Sequence, residues 1–272
     1  MGMSHRDIDL LIHLRKAGYI PDRASVVEIG AQQLSNSVLR EELLVAELGR
    51  VFGEQSVPPL PPPLSPTAGS DGAEQMSARA PWARGLWTWL GFSYAAIDID
   101  GSPDSIPLDL NFDDVPGALV GRHQVVTNFG TTEHIANQLN AFKVIHDLTA
   151  PGGVMIHNLP SQGGFNHGLV NYTPKFFWML ARSNDYRWLY FDFHADPSTH
   201  PMPDNLVEAV QAFRPEISQS AKTYRVAECS IMAAFQKRGD AGYVPPIDVP
   251  TGTVTGNKAL LRRYASVLKG AS

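Results

Sequence analysis

One run near the middle of the chain holds the residues best suited to chemistry. It reads Asn128-Phe129-Gly130-Thr131-Thr132-Glu133-His134, and its last two side chains are ionisable. An imidazole titrates near neutral pH, so His134 can take a proton from a nucleophile or orient it. Glu133 also has a structural explanation, since an acid at the start of a helix is stabilised by the helix dipole. We predict both as catalytic residues.

A second group of polar and aromatic residues follows at 157–172. Glycines on either side of Phe165, Asn166 and His167 predict a bent loop that closes over a site. We predict that His167 is catalytic and that His157, Phe165, Asn166 and Tyr172 bind substrate. For His167 and Tyr172 the alternative role is to hold the loop in place by hydrogen bonds.

The same residues raise the question of a metal. Glu133, His134, His157 and His167 are of types that bind metals, but neither an HxH nor an HExxH spacing occurs. The spacing therefore predicts no metal site.

Four hydrophobic segments in the first half of the chain end in polar or glycine residues. The endings are Glu28-Ile29-Gly30-Ala31-Gln32, Asp98-Ile99-Asp100-Gly101, Asp109-Leu110-Asn111 and Asn128-Phe129-Gly130-Thr131. Each alone is explained by a turn or a cap. In an open parallel sheet, ligands bind beyond the carboxyl ends of the strands, so together these endings predict a ligand site.

Hydrophobic patterning predicts an α/β fold with a mostly parallel sheet of about seven strands and helices on both faces. The predicted strands are 25–30, 94–100, 106–111, 124–129, 154–157, 188–193 and 229–235. The predicted helices are 5–17, 38–48, 81–90, 134–148 and 174–182. The second and third strands are too close for an ordinary parallel crossover. A degenerate helix and an irregular pairing both remain open there.

We expect one domain over residues 1–272. It has a helical segment at 1–24, a flexible proline-rich insertion at 54–80 and a further insertion at 195–228, with a helix near 204–213. The proline-rich stretch cannot sustain a helix or a sheet ladder. A tolerated surface loop is favoured there over a partner-binding PxxP segment.

Four motifs follow one another in a characteristic order. They are Val27-Glu28-Ile29-Gly30-Ala31, Ala96-Ile97-Asp98-Ile99, Asp109-Leu110 and Leu148-Thr149-Ala150-Pro151-Gly152-Gly153. This order resembles the class I, Rossmann-like S-adenosylmethionine-dependent methyltransferases. The resemblance implies a Rossmann-like sheet whose last strand is antiparallel, with S-adenosylmethionine as cofactor.

The cofactor-binding residues that the resemblance implies lie on the strand ends. They are Glu28, Gly30, Ala31, Gln32, Asp98, Ile99, Asp109, Leu110, Asn128, Phe129 and Gly130. The reaction implied is methyl transfer to an oxygen, nitrogen or carbon nucleophile, with a histidine as base or orienting group. Nearby aromatic residues favour a small or medium-sized, partly apolar acceptor.

One residue departs from the family pattern. Gln32 stands where the first motif usually has a second glycine, so the GxGxxG phosphate loop is absent. This counts against NAD or FAD, whose pyrophosphate needs close approach to the backbone. Two alternatives stay open: an NAD(P)-dependent oxidoreductase on a similar fold, and a non-catalytic protein that binds a cofactor or partner.

Charge and composition narrow the class of partner. A net charge of −5 with scattered basic residues gives no reason to expect nucleic acid. No stretch approaches 18 apolar residues, so we expect no membrane span. Cys229, the single cysteine, lies in an apolar run and predicts a buried thiol in a reducing, cytoplasmic compartment. A homodimer is compatible with the sequence, which does not specify the acceptor.

Overall fold

Helices and strands alternate along the chain in the computed structural model, which describes residues 2–62, 80–102, 104–162, 167–201 and 225–248. The helices are α1 (His5–Lys16), α2 (Asn36–Leu39), α3 (Glu42–Val51), α4 (Arg84–Trp89), α5 (Gln138–Leu148) and α6 (Pro174–Ser183), with a 3-10 helix at Thr132–His134. The strands are β1 (Ser25–Ile29), β2 (Ser93–Ile97), β3 (Ser105–Ile106), β4 (His123–Phe129), β5 (Thr149–Gln162), β6 (Arg187–Pro201) and β7 (Arg225–Gln236).

The seven strands form a single sheet in the order β3-β2-β1-β4-β5-β7-β6. Strands β1 to β5 pair in parallel, whereas β7 is antiparallel to both β5 and β6. This confirms the predicted Rossmann-like α/β fold with its antiparallel last strand. The chain leaves β1 toward β2 and β3 and then returns to place β4 on the other side of β1. Ligands bind in the crevice that such a reversal opens at the carboxyl ends of the strands.

Alternate residues of each strand face opposite layers of helices. Val26 and Val125 lie in a hydrophobic cluster with α1, α3 and α4. Their chain neighbours, Val27 and Val126, lie in a second cluster with α5 and α6. A sheet that is covered on both faces needs apolar side chains in both directions, which explains the unbroken hydrophobic strands of the sequence.

Three local predictions differ from the structure. The helix predicted at 38–48 is divided into α2 and α3, with Arg40 and Glu41 between them. The third strand has only two residues, and it pairs in parallel with β2 through Ala96↔Ser105 and Ile97↔Ile106. The helix predicted to begin at residue 134 begins at Gln138, where Asn137 caps it by accepting a hydrogen bond from the backbone of Asn140. Glu133 and His134 therefore belong to a separate 3-10 turn, and the helix-dipole explanation for Glu133 does not apply to α5.

Parts of the two predicted insertions lie outside the described residues, namely 63–79 and 202–224, together with the helix expected near 204–213. The described flanks of the second insertion belong to β6 and β7. Among the residues that the structure describes, none of the helices has the length and apolar character needed to span a membrane.

Candidate active site

The turns that follow β1 and β4 touch each other at the carboxyl edge of the sheet. The Thr131 hydroxyl donates to the Ile29 carbonyl at 2.6 Å. Gly30 has a φ of +74°, and its amide donates to the Ile97 carbonyl of β2 at 2.8 Å. A Cβ at Gly30 would lie 2.3 Å from Thr131 Oγ1, so the contact needs glycine for its space as well as for its conformation.

Gln32 closes the turn after β1 with its own side chain. Its Nε2 donates to the carbonyls of Gly30 at 2.9 Å and Ile29 at 3.3 Å. The side chain is almost fully buried. Gln32 therefore has a structural role, because its side-chain amide bonds to the turn at the position where the resembled motif usually has a glycine. The backbone amides of Gly30, Ala31 and Gln32, which a pyrophosphate would need as donors, already donate to Ile97, Asp98 and Glu28.

Glu28 lies beneath the turn with no exposed surface. Its carboxylate accepts hydrogen bonds from the Gln32 amide at 2.8 Å, Trp87 Nε1 at 2.7 Å and the Tyr94 hydroxyl at 2.8 Å. Burial raises the pKa of Glu28 to about 7, and the three hydrogen bonds act in the opposite direction. Glu28 therefore supports the turn from below, and a direct contact with a cofactor stays a prediction.

The partners of Glu28 were not predicted from the sequence. Buried tryptophan and tyrosine side chains normally find a hydrogen-bond partner for their polar ends. Applied to Trp87 and Tyr94, that rule could have predicted that their polar ends bond to the acid on the neighbouring strand.

Asp98 connects the end of β2 to the same turn. Its Oδ2 accepts from the Ala31 amide at 2.9 Å, and its Oδ1 accepts from the Ile99 amide at 2.8 Å. Ile99 itself is 71% exposed, which is unusual for a large aliphatic residue. The end of β2 thus presents a half-buried carboxylate beside an open apolar surface.

The loop after β3 is held against the start of α5. Asn111 accepts the Asn137 amide at 3.0 Å, and Asn140 Nδ2 donates to the Leu110 carbonyl at 3.0 Å. Asp109 Oδ1 accepts the Asn111 amide at 2.8 Å, while Leu110 is buried. These bonds fix the loop beside the turn that follows β4.

Residues at the end of β4 shape that turn from inside. Asn128 and Phe129 are buried, and Asn128 Nδ2 donates to Thr132 Oγ1 at 2.9 Å. The Gly130 amide donates to the Asn158 carbonyl of β5 at 3.1 Å. The three predicted cofactor residues of this segment thus set the path of the backbone.

Glu133, His134 and His167, the three predicted catalytic residues, meet in one place that we name the Glu–His cluster. Glu133 Oε1 lies 3.4 Å from His167 Nε2 and 3.9 Å from His134 Nε2. The Glu133 side chain is fully buried, whereas those of His134 and His167 are 45% and 34% exposed. The cluster therefore presents two imidazoles to solvent in front of a buried carboxylate.

The loop that carries His167 is fastened to Glu133 by its backbone. The amides of Leu169 and Val170 donate to the Glu133 carbonyl at 2.7 and 3.1 Å. A Cβ at Gly168 would lie 2.9 Å from Glu133 Cγ, so glycine permits this close passage. The bent loop predicted from the glycines has its described part here, while Phe165 and Asn166 lie outside the described residues.

The charges of the Glu–His cluster influence one another. Burial lowers the pKa of His134, the Glu133 carboxylate acts to raise it, and the neighbouring His167 acts to lower it. A neutral imidazole carries a free lone pair, which is the form that accepts a proton or binds a metal.

The two other predicted substrate residues lie behind the cluster. The Tyr172 hydroxyl donates to Gln138 Oε1 at 2.6 Å and lies 3.0 Å from Thr132 Oγ1, and burial raises its pKa. His157 Nδ1 lies 3.3 Å from Asn128 Nδ2, and complete burial lowers the pKa of His157 to about 3. Both residues support the turn after β4, and their contact with a substrate stays a prediction.

Comparison with known proteins gives matches by structure alone. No family model matches the chain, and no curated protein matches it by sequence. The structural matches include a Burkholderia thailandensis 1,6-didemethyltoxoflavin-N1-methyltransferase, solved with bound 1,6-didemethyltoxoflavin and S-adenosylhomocysteine. It is 13% identical, with a TM-score of 0.42 and coverage of 86% of this chain and 78% of that chain.

Two further matches are of similar strength. The YcgJ protein from Bacillus subtilis is 10% identical, with a TM-score of 0.42 and coverage of 87% of this chain and 100% of that chain. The [4+2]-cyclase SpnF is 11% identical, with a TM-score of 0.43 and coverage of 87% and 82%. TM-scores below 0.5 leave the function to be argued from the residues of the site.

Proposed function

We propose that this protein transfers a methyl group from S-adenosylmethionine to a small or medium-sized, partly apolar acceptor. The observation that carries the proposal is the contact between the turn after β1 and the turn after β4. It joins a cofactor-type glycine turn and the Glu–His cluster along one crevice, at the point where the strand order reverses.

The residues at the ends of β1 and β2 suit an adenosyl ligand in kind. The Asp98 carboxylate can accept hydrogen bonds from ribose hydroxyls, and the exposed face of Ile99 can lie against an aromatic base. The closed turn at Gln32 suits a cofactor without phosphate groups better than a dinucleotide. This favours S-adenosylmethionine over NAD(P).

When bound, S-adenosylmethionine supplies an electrophilic methyl group on a sulfonium, and the protein's task is mainly alignment. His134 and His167 would orient the acceptor's nucleophilic atom and accept or guide its proton, because their imidazoles are partly exposed to solvent. Glu133 would fix the two rings from behind. An acceptor that is already a neutral amine needs only the orientation.

Calorimetric titration with S-adenosylmethionine, S-adenosylhomocysteine and NADPH tests the cofactor. We expect the two adenosyl ligands to bind with micromolar affinity, and Asp98→Ala to weaken that binding at least tenfold. Asp22→Ala is the matched control, since Asp22 is an exposed acid that precedes β1 at the opposite edge of the sheet. Binding of NADPH alone, or silence from all three ligands, would refute the proposal.

A screen for S-adenosylhomocysteine release with candidate acceptors tests the roles of the histidines. His134→Ala and His167→Ala should each lower turnover strongly while leaving cofactor affinity within about twofold. Unchanged turnover in both variants would remove the histidines from the mechanism.

A further inference from the structure

The Glu–His cluster contains a buried carboxyl group that makes no hydrogen bond with any described residue. Neither oxygen of Glu133 accepts a hydrogen bond from any described residue, although the side chain has no exposed surface. An unpaired carboxylate is costly to bury, and such a group is normally paired with a cation or protonated. The donor atoms that face it are the ring nitrogens of His134 and His167.

We propose that Glu133, His134 and His167 bind a divalent transition-metal ion. One ligand atom from each residue lies within 4.8 Å of the other two, and among the described residues this is the one such group. The binding itself is independent of methyl transfer, whereas its catalytic consequence rests on the proposed function.

The distances in the cluster fit this class of ion. Ligand atoms about 2.1 Å from a tetrahedral ion are roughly 3.4 Å apart. Glu133 Oε1 is 3.4 Å from His167 Nε2, and it is 3.9 Å from His134 Nε2. All three ligand atoms lie within 4.8 Å of one another, so the His134 side chain, which is 45% exposed, would have to move closer to reach the tetrahedral spacing.

The donor set selects the kind of metal. Two imidazole nitrogens and one carboxylate suit zinc, cobalt, manganese or ferrous iron, whereas magnesium and calcium prefer oxygen ligands alone. The spacing rules for metal motifs did not predict the group, because His167 comes from a loop far along the chain from Glu133. The loop reaches Glu133 through the close passage at Gly168.

Three protein ligands leave coordination positions open, as in catalytic rather than structural metal sites. The open side faces solvent, because His134 and His167 are partly exposed while Glu133 closes the rear. A metal there would bind the acceptor's hydroxyl or amine and favour its deprotonated form. The histidines would then orient the nucleophile through the ion.

Metal binding to the full chain is the test. After treatment with a chelator and its removal, Zn²⁺ is titrated by calorimetry, and Co²⁺ is followed by its visible absorption. We expect one ion per chain, no comparable binding of Mg²⁺, and at least tenfold weaker Zn²⁺ binding in Glu133→Gln, His134→Ala and His167→Ala. His13→Ala is the matched control, because His13 is an exposed histidine on α1, and it should bind as the wild type does.

Glu133→Gln preserves shape, and circular dichroism checks that each variant is folded. Absence of stoichiometric Zn²⁺ and Co²⁺ binding in the wild type would overturn the proposal. Binding that persists at full strength in Glu133→Gln and His167→Ala would also overturn it, since the ion would then lie elsewhere. Titration of S-adenosylhomocysteine into the same samples separates the two proposals. Binding of the metal but not of S-adenosylhomocysteine would support the metal site and refute the proposed methyl transfer. Binding of S-adenosylhomocysteine but not of the metal would refute the metal site and leave the proposed methyl transfer supported.

Discussion

Replacing Gly30 with alanine tests the contact between the two turns of the crevice. The new Cβ would lie 2.3 Å from Thr131 Oγ1, and Gly30 also has a φ of +74°. The conformation alone costs an alanine about 1–2 kcal/mol. Forcing a methyl group into occupied space adds about 1–3 kcal/mol. We therefore expect Gly30→Ala to lower the free energy of unfolding by about 2–5 kcal/mol.

Gly152→Ala separates the two contributions. Gly152 has a φ of +79°, but a Cβ there would meet no atom within 4 Å. It should therefore lose only about 1–2 kcal/mol. Urea denaturation followed by circular dichroism measures both variants, provided that the slopes agree with the wild type.

The variant Thr131→Ala completes a double-mutant cycle. It removes the hydroxyl that the new methyl group would strike, at the cost of the hydrogen bond to Ile29. Gly30→Ala combined with Thr131→Ala should be less destabilised than the sum of the single variants by about 1–2 kcal/mol. Additive losses, or equal losses in Gly30→Ala and Gly152→Ala, would refute the packing of Thr131 on the turn.

Two further predictions concern stability. His157→Phe should make the free energy of unfolding less sensitive to acid. The pKa of His157 is lowered to about 3 in the folded protein. As the pH falls below about 6.5, only the unfolded chain therefore takes up a proton at this residue, which destabilises the wild type. The wild type should lose about 2 kcal/mol more than the variant between pH 7.5 and pH 5 in urea titrations, and parallel losses would contradict the assignment. Thr173→Ala should cost about 1 kcal/mol, because the Thr173 side chain caps α6 by accepting from the Phe176 amide; an unchanged thermal midpoint would count against this cap.

The fold was predictable because strands that are buried on both faces of a sheet need apolar residues at successive positions, and such runs are visible in the sequence. The runs around Val26 and Val125 indicated strands, and the polar residues after them indicated the ligand edge. The two-residue β3 was not predictable in detail, since its pairing with β2 depends on a connection made of turns and bends where it is described.

The members of the Glu–His cluster were predictable one by one, but their meeting was not. Residue types alone marked Glu133, His134 and His167. Their proximity depends on the hydrogen bonds of Leu169 and Val170 to the Glu133 carbonyl, and no local pattern encodes these. The role of Glu28 was hidden for the same reason, because Trp87 and Tyr94 are distant from it in the chain. Gln32 bonds to Gly30 and Ile29 within its own turn, and its residue type alone did not predict this.

The contacts that define the crevice also bear on how the protein folds. Thr131 bonds to Ile29 across 102 positions of sequence, and Ala31 bonds to Asp98 across 67. Closing a loop over such a span costs chain entropy before any contact stabilises the closed form, so pairings of this kind form slowly. The crevice should be among the last parts to assemble, after β4 and β5 have joined β1. Ligand binding should therefore return only when refolding is complete, and a folding intermediate should not bind the ligand.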